Sequence, residues 1–431
     1  MNFHTSDFTL HPLEDDSNLV LCEALASRIA ESPQHRITFA QYMEMVLYHP
    51  AHGYYAAKTE KIGVQGDFFT SPLLGADFGE LLAKQFVQMW EILGKPAPFS
   101  LVEMGAGQGI LAGDILKYLK LHYSDFFAVL DYTIVEKSSA LRQEQQQRLQ
   151  EFSLRWCNLE EISTNSITGC FFSNELVDAL PVHQFTLQQG RLREIYVTTK
   201  NLTPQPPSLE AKREIEAKGE IANQKDAFNT NIEFIEVIEE LSTPELVKYF
   251  DLVNIKLLSS AYPDGYRSEV NLAALDWLKM VGEKLQRGYL LTIDYGYPAS
   301  RYYSPTRSQG TLQCYYQHRH HDNPYINIGR QDITAHVDFT ALERWGDRCG
   351  LHKVGFTQQG LFLMALGIGD RIATVSNITG QSIQEILRRR EALHQLINPQ
   401  GLGGFGVLVQ SKGLTEAETK QDLQGFSLPL L

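Results

Sequence analysis

The sequence of 431 residues is poor in cysteine and carries more negative than positive charge. Its five cysteines are odd in number and scattered without a Cys-x-x-Cys pair, which argues against a disulfide framework or a zinc site. We therefore expect buried thiols in a reducing compartment. Lysine and arginine together number 38 against 51 acidic residues, a formal net charge of −13. This balance argues against a general nucleic-acid-binding protein, because phosphate contacts need clustered cations.

Long apolar runs are also missing. No stretch reaches the roughly 18 residues that a membrane span requires. The first 18 residues are polar and acidic, without the basic and then apolar order of a secretory signal. We expect a cytoplasmic protein with no membrane insertion and no nucleic-acid partner, and the sequence leaves a homodimer open.

The length exceeds the roughly 250–300 residues at which one hydrophobic core stops growing, so we expect one large core with additions. From residue 100 onward, short apolar runs alternate with helical patterns, which is typical of an α/β protein with an open parallel sheet. The predicted strands are "SLVEM", "YTIVE", "SLRWC", "GCFFSNE", "YLLTIDYG", "HKVGFTQ" and "FGVLVQS".

About 110 residues separate the fourth and fifth predicted strands, too many for a simple crossover. They begin with a predicted hairpin that turns at Gln189-Gly190. The expected organisation is a helical and lid region at 1–98, the first part of the core at 99–182, an inserted subdomain at 183–287 with a disordered polar arm at 201–231, the rest of the core at 288–412 with a long substrate loop at 297–332, and a flexible tail at 413–431.

Three glycines, Gly105, Gly107 and Gly109, follow the first predicted core strand in "VEMGAGQG". A dinucleotide fingerprint needs its third glycine one position later, where Ile110 stands, and no Gly-Lys-Ser/Thr follows as in a phosphate loop. A turn of this kind lets a ligand approach the backbone, including that of Ala106, and a helix N-terminus favours an anionic group. S-adenosylmethionine fits, with its carboxylate on the N–H groups and Glu103 facing its cationic side; a tight turn without a ligand is the alternative.

Glu136 ends the second predicted strand, where a nucleotide-binding sheet places a carboxylate on the ribose hydroxyls. An ordinary solvated charge is the alternative. The glycine turn and Glu136 occur in the expected order, which strengthens both assignments. Neighbouring residues at the ends of the second and third strands, Lys137, Asn158 and Leu159, are further expected cofactor contacts.

Five segments of the chain resemble the MidA-like family of S-adenosylmethionine-dependent methyltransferases, whose mitochondrial member is a respiratory complex I assembly factor that methylates an arginine of a complex I subunit. They are "GDFFTSPLLGADFGELLA", "EMGAGQGILAGDIL", "SNELVDALPVHQF", "LTIDYG" and "GRQDITAHVDFTAL", and the resemblance runs from about Tyr42 to Gln410. It implies a class I methyltransferase fold, with a Rossmann-like, mostly parallel sheet and a C-terminal antiparallel strand. It also implies S-adenosyl-L-methionine as the cofactor and an arginine of a protein, such as a complex I-type subunit, as the acceptor. Leu73 departs from the residue common in the family.

The arginine side chain has a pKa above about 12, so an arginine acceptor is protonated at neutral pH. Its site therefore needs carboxylates that bind the guanidinium and accept a proton. The end of the fourth strand supplies Asn174, Glu175 and Asp178 as the candidate catalytic residues, with Asn174 also bordering the cofactor. If a helix begins there, Glu175 and Asp178 share one face. The alternative is that these carboxylates only cap the following helix.

Further candidates lie in two loops. Asp67 and Thr70 predict a lid segment over the cofactor, with a helix cap as the alternative. His336 and Asp338 are candidate substrate residues, although a lone histidine is more often structural. The histidines of "QHRHHD" have no recognisable ligand spacing, so we interpret them as solvated and assign no metal site.

Two other functions stay open. A nicotinamide-dependent oxidoreductase is disfavoured by Ile110 at the third-glycine position. A non-catalytic assembly chaperone could keep the cofactor fold without the chemistry, since a fold does not by itself imply a function.

Overall fold

The structure is a computed structural model that describes residues 15–56, 71–200, 232–317, 319–377 and 382–427. The predicted lid residues Asp67 and Thr70 and the predicted arm at 201–231 lie outside these ranges. Within the ranges, no helix combines the length and apolar content that a membrane crossing would need.

The strands are numbered here in chain order. They are β1 (Ile37–Thr38), β2 (Phe99–Met104), β3 (Leu130–Val135), β4 (Arg155–Cys157), β5 (Ile167–Asn174), β6 (His183–Gln188), β7 (Arg191–Thr199), β8 (Phe234–Glu239), β9 (Arg267–Val270), β10 (Leu285–Asp294), β11 (Gly296–Tyr297), β12 (Gln313–Tyr316), β13 (Arg319–His321), β14 (Asp332–Thr334), β15 (Val337–Asp338), β16 (His352–Gln358) and β17 (Gly406–Lys412).

The helices are named by their bounds. The α-helices are Leu19–Glu31, Phe39–Tyr48, Asp77–Ile92, Ile110–His122, Ser124–Val129, Ser139–Arg148, Glu245–Val253, Leu272–Lys284, Ala299–Tyr302, Phe339–Arg348, Gln359–Ala365, Ile368–Thr374, Ile383–Ile397 and Glu416–Thr419, and short 3₁₀ turns cover Ser71–Leu74, Leu159–Glu161, Val375–Asn377, Leu402–Gly404 and Gln424–Phe426.

A seven-stranded sheet forms the centre of the molecule, in the order β16-β17-β10-β5-β2-β3-β4. The pairs from β10 to β4 are parallel, and β17 runs antiparallel to both β10 and β16. All seven strands arise from the predicted apolar runs. The mostly parallel α/β sheet with one antiparallel C-terminal strand is therefore confirmed. Parallel strands end at the same edge of a sheet, so the residues that follow β2, β3 and β5 come close together.

A second sheet stands beside the first and joins two distant parts of the chain. The hairpin of β6 and β7 turns at Gln189 and Gly190, both with positive φ, as predicted. β8 and β1 pair with β7, and β9 pairs with β6. Because β1 belongs to the N-terminal region, that region and the insertion share one apolar cluster, which includes Tyr42, Val197 and Phe234.

The segment expected to be a long loop, 297–332, contains regular structure instead. A short helix, Ala299–Tyr302, is followed by β12 and β13, and β12 pairs with β14. The buried carboxylate of Glu269 holds the segment in place, accepting hydrogen bonds from the Thr311 N–H and the Tyr302 hydroxyl. This anchoring explains the difference from the prediction, because the segment satisfies its backbone groups in a small sheet and against β9.

Candidate active site

The glycine turn connects β2 to the helix Ile110–His122 in a conformation that suits glycine. Gly105, Gly107 and Gly109 have φ values of +72°, +52° and +76°. A Cβ at Gly105 would lie 2.8 Å from the Leu176 side chain, whereas a Cβ at Gly107 would have no atom within 4 Å. Gly107 therefore leaves open space beside the backbone, and that space belongs to a cavity.

This cavity, of about 440 Å³, lies at the carboxyl ends of the core strands. Predicted cofactor residues line it together with the predicted catalytic residues. The predicted residues in its wall are Glu103, Gly105, Ala106, Gly107, Glu136, Lys137, Leu159, Asn174, Glu175 and Asp178. Folding thus brings the two predicted groups to one space, with room for a nucleoside and part of an acceptor.

Glu136 is buried and held in one orientation at the end of β3. Its carboxylate accepts hydrogen bonds from the Ser138 N–H at 2.9 Å and from the Gln145 side-chain amide at 3.2 Å. Burial raises the pKa of Glu136, and these two bonds oppose that rise. Gln145 also donates to the Gly107 carbonyl at 2.7 Å, so one side chain connects the glycine turn to Glu136. The sequence analysis missed Gln145, whose polar helix gave no sign of a buried amide.

Glu103 also lines the cavity. Its carboxylate accepts a hydrogen bond of 2.6 Å from the Tyr132 hydroxyl, and burial raises its pKa to about 7. A carboxyl group with this pKa ionises readily when a cation comes close. The arrangement is compatible with the expected contact to the cationic side of the ligand.

Two of the predicted cofactor residues do not line the cavity. The Asn158 side chain accepts a hydrogen bond of 2.7 Å from Arg142, and its N–H donates to Glu161. Gly109 is the N-cap of its helix, and a Cβ there would approach Leu149 at 3.2 Å. The structure corrects these assignments: Asn158 supports the loop after β4, and Gly109 serves the turn.

The expected helix after β5 is absent, so two expectations are wrong. Residues 175–182 form a turn that leads into β6, hence Glu175 and Asp178 neither share a helix face nor cap a helix. Glu175 has a φ of +53°, which starts this turn. The Asn174 amide donates to the Glu175 carboxylate at 3.0 Å. Asp294, at the end of β10, holds the turn by accepting from the N–H groups of Val177 and Asp178.

Glu175 and Asp178 on this turn and Asp294 beside it are three neighbouring carboxyl groups, whose charges repel one another. Burial, together with the charge of the neighbouring Asp178, raises the pKa of Glu175 to about 8. Burial also raises the pKa values of Asp178 and Asp294. Asp294 was not predicted as a site residue, although "LTIDYG" places it at a strand end beside β5. The rule that pointed to Glu136 could have found it.

Two buried acceptor oxygens, Oδ1 of Asn174 and Oδ1 of Asp178, accept no hydrogen bond of normal geometry from the described parts of the chain. The Tyr295 hydroxyl is close enough to the Asp178 carboxyl group to oppose the rise of its pKa. A buried acceptor without a partner costs roughly 1–3 kcal/mol, so the site favours a ligand rich in donors. The arrangement can therefore bind a cationic group that carries hydrogen-bond donors, next to the part of the cavity that the predicted cofactor residues line.

The predicted substrate residues His336 and Asp338 stand outside the cavity wall. The His336 ring lies between Tyr295 and Tyr297, 5.0 Å from each, and burial lowers its pKa to about 4. Asp338 is the N-cap of the helix Phe339–Arg348 and also accepts from Tyr249. Both are packing or capping residues here, which corrects the prediction. Over the described ranges, no group of three metal-ligating side chains is placed to hold an ion.

A family profile described as "Putative S-adenosyl-L-methionine-dependent methyltransferase" matches residues 81–357, more than half of the chain. The chain belongs to this family. S-adenosyl-L-methionine is its cofactor, the protein is a methyltransferase, and the nicotinamide alternative falls. The site fits this cofactor, because the open backbone at Gly107 and the two lining carboxylates Glu103 and Glu136 share one cavity.

Relatives and solved structures agree with this assignment. A Burkholderia thailandensis protein, solved with S-adenosyl-homocysteine bound, is 29% identical, with a TM-score of 0.76 over 95% of each chain. A mitochondrial protein arginine methyltransferase NDUFAF7 homolog of Drosophila melanogaster is 29% identical over 91% of this chain and 85% of its own. The NDUFAF7 of Rattus norvegicus, also named a mitochondrial protein arginine methyltransferase, is 29% identical over 85% of this chain and 79% of its own.

These names overturn one expectation. Both of these relatives, and the human NDUFAF7 at 26% identity, are named as mitochondrial proteins. The prediction of a cytoplasmic location is therefore contradicted by the location that these names give.

Proposed function

We propose that this methyltransferase transfers a methyl group to an arginine side chain of a protein. The observation that carries the proposal is the pair of unpartnered oxygens on Asn174 and Asp178, which lies beside the Glu175 carboxylate in the wall of the cofactor cavity. A guanidinium presents five N–H donors in a fixed plane and keeps its charge when buried. It would satisfy both oxygens and lower the raised pKa values of the neighbouring carboxyl groups.

The residues of the chain then have separate roles. When bound, S-adenosyl-L-methionine supplies an electrophilic methyl group. Glu136 would orient the ribose, and the backbone at Gly107 would allow close approach. Glu175 and Asp178 would hold the guanidinium in line with the methyl group, and one of them would accept the proton that the guanidinium loses. Burial raises the pKa values of both carboxyl groups. The charge of the bound guanidinium would lower these values and favour the ionised form, which can then accept the proton.

The acceptor is proposed to be a protein of a complex I-type assembly. The support is the resemblance to the MidA-like family and the names of the relatives, which are protein arginine methyltransferases. A homodimer stays a prediction.

The test is transfer to protein from cells that lack this chain. Purified enzyme and labelled S-adenosyl-L-methionine are incubated with extract of those cells, and mass spectrometry locates the labelled residue. Methylarginine on one protein is the expected product. A label on another residue type, or no enzyme-dependent label, would contradict the proposal and, in the second case, favour the chaperone alternative.

The role of the carboxylates is tested with Asp178→Asn. Loss of one charge-assisted contact should slow single-turnover transfer by about ten- to a thousandfold, while cofactor affinity stays nearly constant. Glu175→Gln should also slow transfer and is compared directly with Asp178→Asn. Transfer at the wild-type rate in both variants would show that these carboxylates take no part in the mechanism.

A further inference from the structure

Asp332 and Tyr55 belong to segments 277 positions apart that meet in the wall of the cavity. Tyr55 closes the motif "HGYY", and Asp332 begins β14 in "RQDIT". The Tyr55 hydroxyl donates to the Asp332 carboxylate, with distances of 2.9 and 3.1 Å to its two oxygens. We propose that Asp332 is a further carboxylate of the acceptor pocket and that Tyr55 is the positioning residue that holds it there, an inference that rests on the proposed arginine acceptor.

The location of Asp332 supports this role. Its side chain is buried, with the residue 4% exposed, and it lines the same cavity as Glu175 and Asp178. It comes from a different element, because β14 reaches the cavity through its pairing with β12, where Tyr315 is opposite Asp332. Burial raises the pKa of Tyr315 to about 12, and the charges of Asp178, Asp332 and Glu175 add to this rise. A pocket with carboxylates on two elements can contact more than one edge of a planar cation.

Aromatic rings form the wall between these carboxylates. Tyr48 and Tyr55 are stacked, with centroids 5.3 Å apart and an interplanar angle of 27°, and both line the cavity. The Tyr48 hydroxyl donates to the Ala179 carbonyl, next to Asp178 in the chain. The Lys137 ammonium already lies over the Tyr48 ring, 5.5 Å from its centroid. Carboxylates on two elements can accept hydrogen bonds along two edges of a planar guanidinium, which a compact ammonium does not offer.

Tyr55 also reaches the cofactor half of the site. Its carbonyl accepts a hydrogen bond of 2.8 Å from the Ser138 hydroxyl, and the Ser138 N–H donates to Glu136. The backbone of Tyr55 is thereby fixed to the wall that holds the candidate ribose contact. Its hydroxyl can then set the Asp332 carboxylate at a defined distance from the methyl donor, which is what alignment for in-line transfer requires.

The test compares Asp332→Asn, Tyr55→Phe and the double variant with the wild-type enzyme. The acceptor is extract protein from cells that lack this chain, at increasing concentration, and the product is methylarginine measured by mass spectrometry. Asp332→Asn should raise the extract concentration that gives half-maximal rate by about ten- to a hundredfold, the usual effect of losing a contact to a charged group. Tyr55→Phe should raise it less, and the double variant should match Asp332→Asn, because Tyr55 acts through Asp332.

Two controls separate positioning from stability. Tyr249→Phe removes a comparable hydrogen bond, from a buried tyrosine to the Asp338 carboxylate outside the cavity, and should leave the concentration dependence unchanged. The affinity of each variant for S-adenosyl-homocysteine, measured by calorimetry, should stay within about twofold of wild type, because the lost contact belongs to the acceptor.

The outcomes are distinct. In one outcome, the wild-type enzyme forms methylarginine while Asp332→Asn and Tyr55→Phe show the same dependence of rate on extract concentration as the wild type. That result would overturn this inference and leave the proposed function standing. Additive effects of the two substitutions would overturn the positioning role of Tyr55. Wild-type enzyme that labels another residue type would overturn the proposed function and this inference together.

Discussion

Gly107 is the residue at which backbone conformation and cofactor binding coincide. Its φ is +52°, and the space beside its α-carbon is open to the cavity. We expect Gly107→Val to abolish binding of S-adenosyl-homocysteine in calorimetry, because the branched side chain would fill that space. The circular dichroism spectrum should remain that of the wild type.

A matched control exists for the strain of this substitution. Gly190, in the hairpin turn of β6 and β7, also has a positive φ and open space around a Cβ, but it lies outside the cavity wall. Gly190→Val should lower stability by a similar amount, about 1–2 kcal/mol, and bind the ligand normally. Loss of binding in both variants would show that strain, and not the cavity, is responsible.

The carboxyl group of Glu175 should make stability depend on pH. Its folded-state pKa is raised from 4.5 to about 8, so the fold favours the neutral form. The corresponding stability is fully present below pH 4.5 and is lost as the pH rises towards 8, because the unfolded chain ionises first. Glu175→Gln cannot ionise, so its melting temperature should exceed that of the wild type by a few degrees at pH 8 and match it near pH 4.5.

An exposed glutamate provides the comparison for that measurement. Glu31, at the end of the helix Leu19–Glu31, is solvent-exposed. The melting temperature of Glu31→Gln should differ from that of the wild type by the same amount at every pH between 4.5 and 8. If the difference in melting temperature between Glu175→Gln and the wild type did not widen as the pH rises, the raised pKa of Glu175 would be contradicted.

At the scale of elements, the helix Ser139–Arg148 supports the site through a glutamine. Of the glutamines in this helix, only Gln145 makes hydrogen bonds to residues of the site within the described part of the chain. The Gln145 amide donates to Gly107 and Glu136, and its oxygen accepts from the Trp156 indole N–H at 3.0 Å. Gln145→Leu should leave these buried groups without partners and weaken both cofactor affinity and stability by about 1–3 kcal/mol each. Calorimetry and thermal melts measure the two effects.

The neighbouring glutamine gives the control. Gln146 is exposed on the same helix, and Gln146→Leu should change stability by less than about 0.5 kcal/mol and leave affinity unchanged. If Gln145→Leu behaved like Gln146→Leu, the hydrogen bonds of Gln145 would not support the site.

Elements differ in how far sequence could predict them. The core strands have continuous apolar runs, so their pattern survives any tertiary arrangement. β1 has only two residues, Ile37 and Thr38, and exists because β7 offers a partner. The helix Ile383–Ile397 was not predicted, although Ser382 and Glu385 form a capping box that is a readable signal.

At the scale of the whole molecule, cofactor binding should stabilise the protein, because the cavity joins β2, β3 and β5 to the N-terminal region. A ligand that binds only the folded state at 100 times its Kd adds about 2.7 kcal/mol. For a chain of 431 residues, S-adenosyl-homocysteine should therefore raise the melting temperature by about 3 °C. Thermal melts with and without ligand measure the shift.

The same melts with NAD test the specificity of the site. The glycine spacing ends with Ile110 where a dinucleotide fingerprint has its third glycine, so NAD at equal concentration should cause no shift. A shift with NAD and none with S-adenosyl-homocysteine would contradict the placement of the cofactor at Gly107.

The sequence by itself determined the core sheet, the glycine turn after β2 and the carboxylate Glu136, because these depend on local periodicity and on the shared edge of parallel strands. Tertiary structure decided the remainder of the site. Asp332 reaches Tyr55, and Asp294 fixes the turn of Asp178, through contacts between segments more than 100 residues apart that no local pattern records. Asp338 shows the converse, because it caps its own helix through the nearby N–H groups of Thr340 and Ala341. A carboxylate that caps a helix and one that binds a ligand look alike in sequence until the chain has folded around them.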